Sequence, residues 1–173
     1  MKISLKPIGD IDSSTLEELK ARLNQTFGCP VEITPEADSL DQAYDPKREQ
    51  CLASVLLTRL KISGMAKDEK VLGVIDADLY APGLNFVFGQ ASTAEGVAII
   101  SLCRLRQEYY GLPPDEALFL SRVTKEAIHE LGHTFGLGHC LDARCIMRFS
   151  NSLADTDWKQ AAFCSQCRPK LIK

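Results

Sequence analysis

Histidine is scarce in this sequence: the 173 residues contain three. Long apolar runs are missing too. None approaches the ~20 consecutive apolar residues that a membrane-spanning helix needs, and Met1 to Pro7 lack the apolar core of a secretory signal. There is no internal repeat, linker or low-complexity tract, which excludes a repeat architecture or a string of tethered modules. Charge is nearly balanced, with 20 Lys and Arg against 23 Asp and Glu and a net charge of −3. Such a balance supplies no general attraction to nucleic acid or to anionic membranes. What remains is an ordinary globular composition, 45% hydrophobic, which permits a proper core. The length predicts one domain over residues 1–173.

All three histidines fall in one short stretch, His129-Glu130-Leu131-Gly132-His133-Thr134-Phe135-Gly136-Leu137-Gly138-His139. Residues four apart on a helix lie one turn from each other on one face, so His129 and His133 can share a metal ion. Catalytic zinc takes three protein ligands and keeps a fourth position for water. The helix itself cannot present a third ligand at the same point. Gly136 resolves this, because glycine accepts the positive φ at which a helix stops and the chain turns back. His139 can then approach from the loop. Glu130 is sterically a poor ligand but well placed to accept a proton from water at the ion. Five specified positions coincide by chance in roughly one such chain in ten thousand, so incidental histidines on a helix explain the pattern poorly.

Cysteine, by contrast, is plentiful, with seven. Cys140 directly follows the third histidine; a four-residue gap leads to Cys145, and a two-residue gap separates Cys164 from Cys167. Thiolates at such gaps suit a closed tetrahedral zinc site. The alternative is a pair of disulfides, which are uncommon in a reducing cytosol. The sequence thus predicts two zinc ions, a catalytic one at His129, His133 and His139 and a structural one at Cys140, Cys145, Cys164 and Cys167. Because His139 and Cys140 are neighbours, the structural ion would clamp the loop that presents His139 and couple the two sites. Cys29, Cys51 and Cys103 stand among apolar neighbours and read as buried free thiols.

Cys145-Ile146-Met147 completes the set. Together with the extended histidine motif, the cysteine after the third histidine and Cys164-Ser165-Gln166-Cys167, it makes the sequence resemble the archaemetzincins, a family of metzincin-type zinc peptidases. Asp76 to Gly89 resembles them more loosely, and the first seventy residues only in layout. The resemblance implies a metzincin-like fold with a long active-site helix and Met147 in a tight turn beneath the histidines. It also implies a cleft-edge strand running antiparallel to bound substrate. Leu84 to Ala91 is the segment expected at that rim, holding a peptide by strand addition.

Periodicity supplies the rest. Ile3 and Leu5 alternate with polar neighbours in a first strand over 2–8. Candidate caps at 12–15 precede Leu16, Leu19, Leu23 and Phe27 at helical spacing, up to Gly28. Val31 to Thr34 reads as a short strand. Residues 36–46, with Asp38, Asp41, Tyr44 and Asp45, read as a solvated loop. Pro46 is expected to open a helix with Cys51, Leu52, Val55, Leu56 and Leu60 on its apolar stripe. Val71 to Ile75 reads as a buried central strand, and Asp76 and Asp78 as solvated or turn acids. Pro82-Gly83 is a turn, Asn85 to Phe88 a short strand, Gly96 to Leu105 another, and Tyr109 to Pro114 a connector. A long helix starts near Asp115 and buries Leu118, Phe119, Ala127, Ile128, Leu131 and Phe135. Residues 148–154 form a loop, and Asp155 caps a last helix carrying Trp158, Ala161, Ala162 and Phe163 into the cysteine pair. This order predicts an α/β (α+β) fold, a twisted mixed sheet packed with helices. Residues 1–139 supply the sheet and active-site helix, and 140–173 the methionine turn, second zinc site and C-terminal helix.

The predicted activity is hydrolysis of peptide bonds, with zinc as cofactor, a peptide as substrate and Glu130 carrying the proton from water to the leaving amine. The chain is expected in the cytoplasm as a monomer, with neither nucleic acid nor membrane as partner. An unrestrained endopeptidase is hazardous there and no propeptide is visible, so narrow specificity, small peptides or a covered cleft are expected. Tyr44, Tyr80, Tyr109 and Tyr110 are candidates for stabilising the oxyanion. Two competing readings keep the metal and drop the chemistry. One is a zinc-finger-like module, for which residues 140–173 carry only six Lys and Arg against three Asp. The other is a zinc-loaded protein that binds peptides without cutting them.

Overall fold

The structure, a computed structural model, describes residues 1–35, 42–62, 65–66 and 68–172. Asp38 and Asp41 of the expected solvated loop lie outside them. The alternating N-terminal segment forms β1 (Lys2–Ile8). Asp12 then accepts from Thr15 N at 2.9 Å and caps α1 (Ser13–Phe27), which ends on Gly28. After β2 (Val31–Ile33), Tyr44–Asp45 (β3) pairs antiparallel with Gln50–Leu52 (β4). This corrects the sequence reading: Tyr44 and Asp45 are strand and not loop, and Cys51 and Leu52 are strand and not helix. Pro46 opens no helix because Asp45 Oδ1 accepts from Lys47 N at 2.9 Å and holds a turn, and Glu49 has φ 55°. The helix starts only at Ala53 (α2, Ala53–Ile62).

β5 (Glu69–Ile75), β6 (Leu79–Tyr80), β7 (Gly89–Ser92) and β8 (Val97–Ser101) follow. Asn85 to Phe88 is not a strand; Val87 alone makes a bridge, to Leu79, and regular pairing begins at Gly89. The strand expected over 96–105 gives way at Cys103 to a 3₁₀ turn. Five strands form one sheet in the order β2-β1-β5-β8-β7, parallel except for β7 at the edge. Parallel strands need both faces covered, and the two-residue period divides the core accordingly. Leu72, Val74, Ala98 and Ile100 join Leu16, Leu19 and Leu23 of α1 and Ala127, Ile128 and Leu131 on one face. Val71, Ile75, Val97 and Ile99 meet Leu56, Leu57 and Leu60 of α2 on the other.

Asp76 is exposed, as expected of a solvated acid, whereas the Asp78 side chain is only 11% exposed and sits in an ion pair, which corrects the expectation for that residue. Asp78 takes two 2.7 Å bonds from Arg104 and one of 2.9 Å from Gln50, and Asp76 accepts from Arg106 at 2.9 Å. They tie the end of β5 to the segment after β8. Asp115 caps α3 (Glu116–Thr134) through a 2.9 Å bond from Leu118 N. The last helix, α4 (Leu153–Trp158), is capped by Ser152, with Asp155 as the reciprocal partner of a capping box. It stops before the cysteine pair because Lys159 turns extended (ψ 151°), and Trp158 is 63% exposed. Arg122 grips Asp157 with two 2.7 Å bonds and Lys125 donates to the Asp157 carbonyl at 2.9 Å, latching α4 onto α3. Cys29 and Cys51 are buried free thiols, whereas Cys103 is only half-buried.

Candidate active site

α3 presents His129 and His133 on one face and then stops. Gly136 takes φ 84°, its N–H bonds to His133 O at 2.9 Å, and Leu137 N bonds to Gly132 O at 3.2 Å. These are the two bonds of a glycine-ended helix, and they return the chain so that His139 faces the other two rings. Ring centroids are 4.7, 5.4 and 4.9 Å apart, and one nitrogen from each ring lies within 4.8 Å of the others.

Second partners fix the tautomers. His129 Nδ1–H donates to Ile146 O at 2.8 Å, and His133 Nδ1–H donates to Leu137 O at 2.7 Å. A carbonyl only accepts, so both Nε2 atoms carry lone pairs. They stand 3.2 Å apart. Two acceptors that close call for a cation between them, and ligands at ~2.0–2.1 Å around tetrahedral zinc stand ~3.3 Å apart. Burial, and then the charge of Lys159, hold His129 down at about 3. Burial also lowers His133 and His139. All three are therefore neutral, the form that ligates metal.

The Ile146 carbonyl belongs to the expected methionine turn, closed by Arg148 N to Cys145 O at 2.9 Å. Met147 is fully buried beneath α3. Gly132 makes room for it: a Cβ there would overlap Met147 Sδ and lie 3.1 Å from its Cε. Cys140 N donates to Met147 O at 2.9 Å, joining the histidine loop to the turn.

Sγ atoms of Cys140, Cys145, Cys164 and Cys167 gather within 4.8 Å of one another, with no disulfide between them. Cys140 and Cys164 Sγ are 3.8 Å apart, which is the edge of a tetrahedron with metal–sulfur bonds of ~2.3 Å. Burial opposes ionisation of Cys164, but the N–H groups of Cys167 and Gln166 outweigh it and hold the thiol at about 7. Burial pushes Cys145 and Cys167 up. Both donor sets fit zinc.

The imidazoles and Glu130 open into a cleft of about 550 Å³, lined also by 84–91. That is the segment expected at the rim, with β7 as its regular part. Burial pushes the Glu130 carboxyl well above the usual carboxylate range, Glu126 adds to this and Lys159 opposes it; a dication at the histidines acts in the lowering direction. None of Tyr44, Tyr80, Tyr109 or Tyr110 is among the residues that line this cleft. Among the lining residues not singled out from the sequence are Glu126, Lys159, and Phe149, whose ring lies 5.0 Å from that of His139. Glu126 was findable, being one turn before Glu130 on the same helix face. Nothing local marks the other two.

Residues 16–173 match peptidase family M54. An archaemetzincin of Methanocaldococcus jannaschii is 43% identical over 171 residues, covering 99% of this chain and 93% of the relative. The crystal structure of an archaemetzincin from Methanopyrus kandleri is similar with a TM-score of 0.84 at 42% identity, covering 99% of this chain and 93% of that one. A zinc-dependent peptidase from Methanocorpusculum labreanum gives a TM-score of 0.90 at 33% identity, with 98% and 99% covered. With its three-histidine and four-cysteine clusters in the same fold, the chain belongs to peptidase family M54, the archaemetzincins, and is a zinc-dependent metallopeptidase.

Proposed function

We propose that this chain cleaves peptide bonds as a single domain holding two zinc ions. His129, His133 and His139 are the ligands of the catalytic ion. Cys140, Cys145, Cys164 and Cys167 are the ligands of the structural ion, and Glu130 is the general base. The observation that carries this reading is the pair of Nε2 acceptors 3.2 Å apart beside a buried carboxyl in one cleft. Zinc at the imidazoles supplies Lewis acidity for the scissile carbonyl and for water. Glu130 takes the proton of the attacking water and delivers it to the leaving amine. The Ile146 and Leu137 carbonyls hold two of the rings in their ligating orientation, so no reorganisation is needed. The outer edge of β7 offers backbone groups to an extended peptide.

A cleft of this volume admits a few side chains and not a folded domain, which supports narrow specificity or small peptide substrates. Free thiols at Cys29, Cys51 and Cys103 favour a reducing compartment, so we place the chain in the cytoplasm, acting as a monomer without nucleic acid or membrane partners. Metal analysis combined with peptide-library cleavage tests the reading. Wild type is expected to hold two zinc ions and to cleave a narrow peptide set. Glu130→Gln is expected to keep both ions and lose turnover by roughly a thousandfold or more. Full activity in that variant contradicts the role of Glu130, and a single ion contradicts the two-zinc reading.

A further inference from the structure

Glu126 stands one helical turn before Glu130 on the same face of α3. Both line the cleft, as do Lys159 and Ser150. The Glu126 and Lys159 side chains are 4% and 1% exposed, and Nζ lies 3.7 Å from Glu126 Oε1. That oxygen also accepts from the Thr156 hydroxyl at 2.9 Å, while Oε2 takes no hydrogen bond among the described residues. Lys159 Nζ donates to Arg148 O at 3.1 Å, and an ammonium has three N–H groups to give. Ser150, just beyond that carbonyl, has a buried Oγ without a partner among the described residues.

Buried ion pairs add little to stability, because apolar residues of similar volume serve as well. Buried polar atoms also normally have partners. The hydrolysis described above uses none of these groups. Together they make a floor with no net charge, one free carboxylate oxygen, unspent ammonium N–H groups and a free hydroxyl.

We propose that Glu126, Lys159 and Ser150 form a specificity subsite for an uncharged hydrogen-bonding side chain, a carboxamide (Asn or Gln), next to the cleaved bond. A carboxamide can donate to Glu126 and accept from Lys159 or Ser150 at once. An acidic guest meets Glu126 and a basic one meets Lys159, and either leaves the buried pair with surplus charge. An apolar guest strands Oε2 and the hydroxyl. Sites built to hydrogen-bond a substrate group reject analogues that lack it far more strongly than apolar pockets reject misfits. The position beside the cleaved bond rests on the peptidase reading; the chemistry of the guest does not.

Calorimetry on the zinc-loaded Glu130→Gln protein reads the subsite without turnover. The probes are capped hexapeptides that differ only in Gln, Glu, Lys or Met at either residue flanking the bond. At one of these positions Gln is expected to bind at least about tenfold more tightly than the other three. Adding Glu126→Leu with Lys159→Met should reverse the order in favour of Met, and adding Ser150→Ala should shrink the preference severalfold. Equal affinities, a preference for Met, Glu or Lys, or no measurable binding on the unaltered floor overturns the proposal. Wild-type cleavage of the same peptides is measured alongside. Failure to cut any of them counts against the peptidase reading, and the calorimetric order still decides the subsite. If the double variant loses zinc or its fold, the unaltered floor and Ser150→Ala remain decisive.

Discussion

Gly89 on β7 lies so close to Glu130 on α3 that a Cβ at position 89 would stand 2.7 Å from Glu130 Cγ and 2.8 Å from Ile99 O. The carbonyl belongs to β8, paired with β7, and cannot yield without breaking the ladder. The Glu130 side chain gives way first, and the overlap with Ile99 O pushes residue 89 further out of place against it. Gly89→Ala is therefore expected to lower kcat by about a hundredfold through misplacement of the carboxylate, with zinc content unchanged. Peptide cleavage and metal analysis of the variant check this, and an unaltered kcat contradicts it.

Cys140 and His139 are adjacent, and Cys140 N is bonded to Met147 O in the turn whose Ile146 carbonyl orients His129. Cys140→Ser should thus weaken zinc at the histidines as well as at the cysteines, by about 10- to 100-fold. Competition with a chelator measures both affinities. Normal affinity at the histidines would remove the coupling.

Gly132→Ala tests the packing of the methionine turn. The added methyl overlaps Met147 Sδ and reaches 3.2 Å from Phe163 Cε1. Overpacking of this kind costs about 1–3 kcal/mol, read as a lower urea midpoint of the zinc-loaded protein. Gly132→Ala combined with Met147→Ala should recover part of the loss; no recovery argues that the clash lies elsewhere.

Acid should destabilise the metal-free, reduced protein well above the carboxylate range. His129 is held at about 3, against an ordinary 6.5. Below 6.5 the unfolded chain binds a proton that the folded chain refuses, so folded stability is full above that pH and falls as pH drops towards 3. His129 alone contributes a slope of about 1.4 kcal/mol per pH unit in this window. Urea unfolding at pH 7 and pH 5 measures it. With zinc bound, the slope over the same window should be smaller, and a metal-free protein more stable at pH 5 than at pH 7 contradicts the assignment.

The three-histidine and four-cysteine clusters were legible because their determinants are local. Two histidines one turn apart, a glycine that takes positive φ and short cysteine gaps each specify geometry within a few residues, as did the capping of α1 by Asp12 and of α3 by Asp115. The continuous apolar run of β5 likewise announced a central strand buried on both faces. Local pattern misled where a side chain found a nearer partner: the turn held by Asp45 displaced the helix expected from Pro46, and Ser152 took the cap assigned to Asp155. Pairing across the fold decided the rest. Asp78 meets Arg104, Gly89 meets Glu130, and Lys159 meets Glu126 only after helices and sheet have packed. No periodicity encodes such encounters, because they depend on distances between elements and not on positions within one.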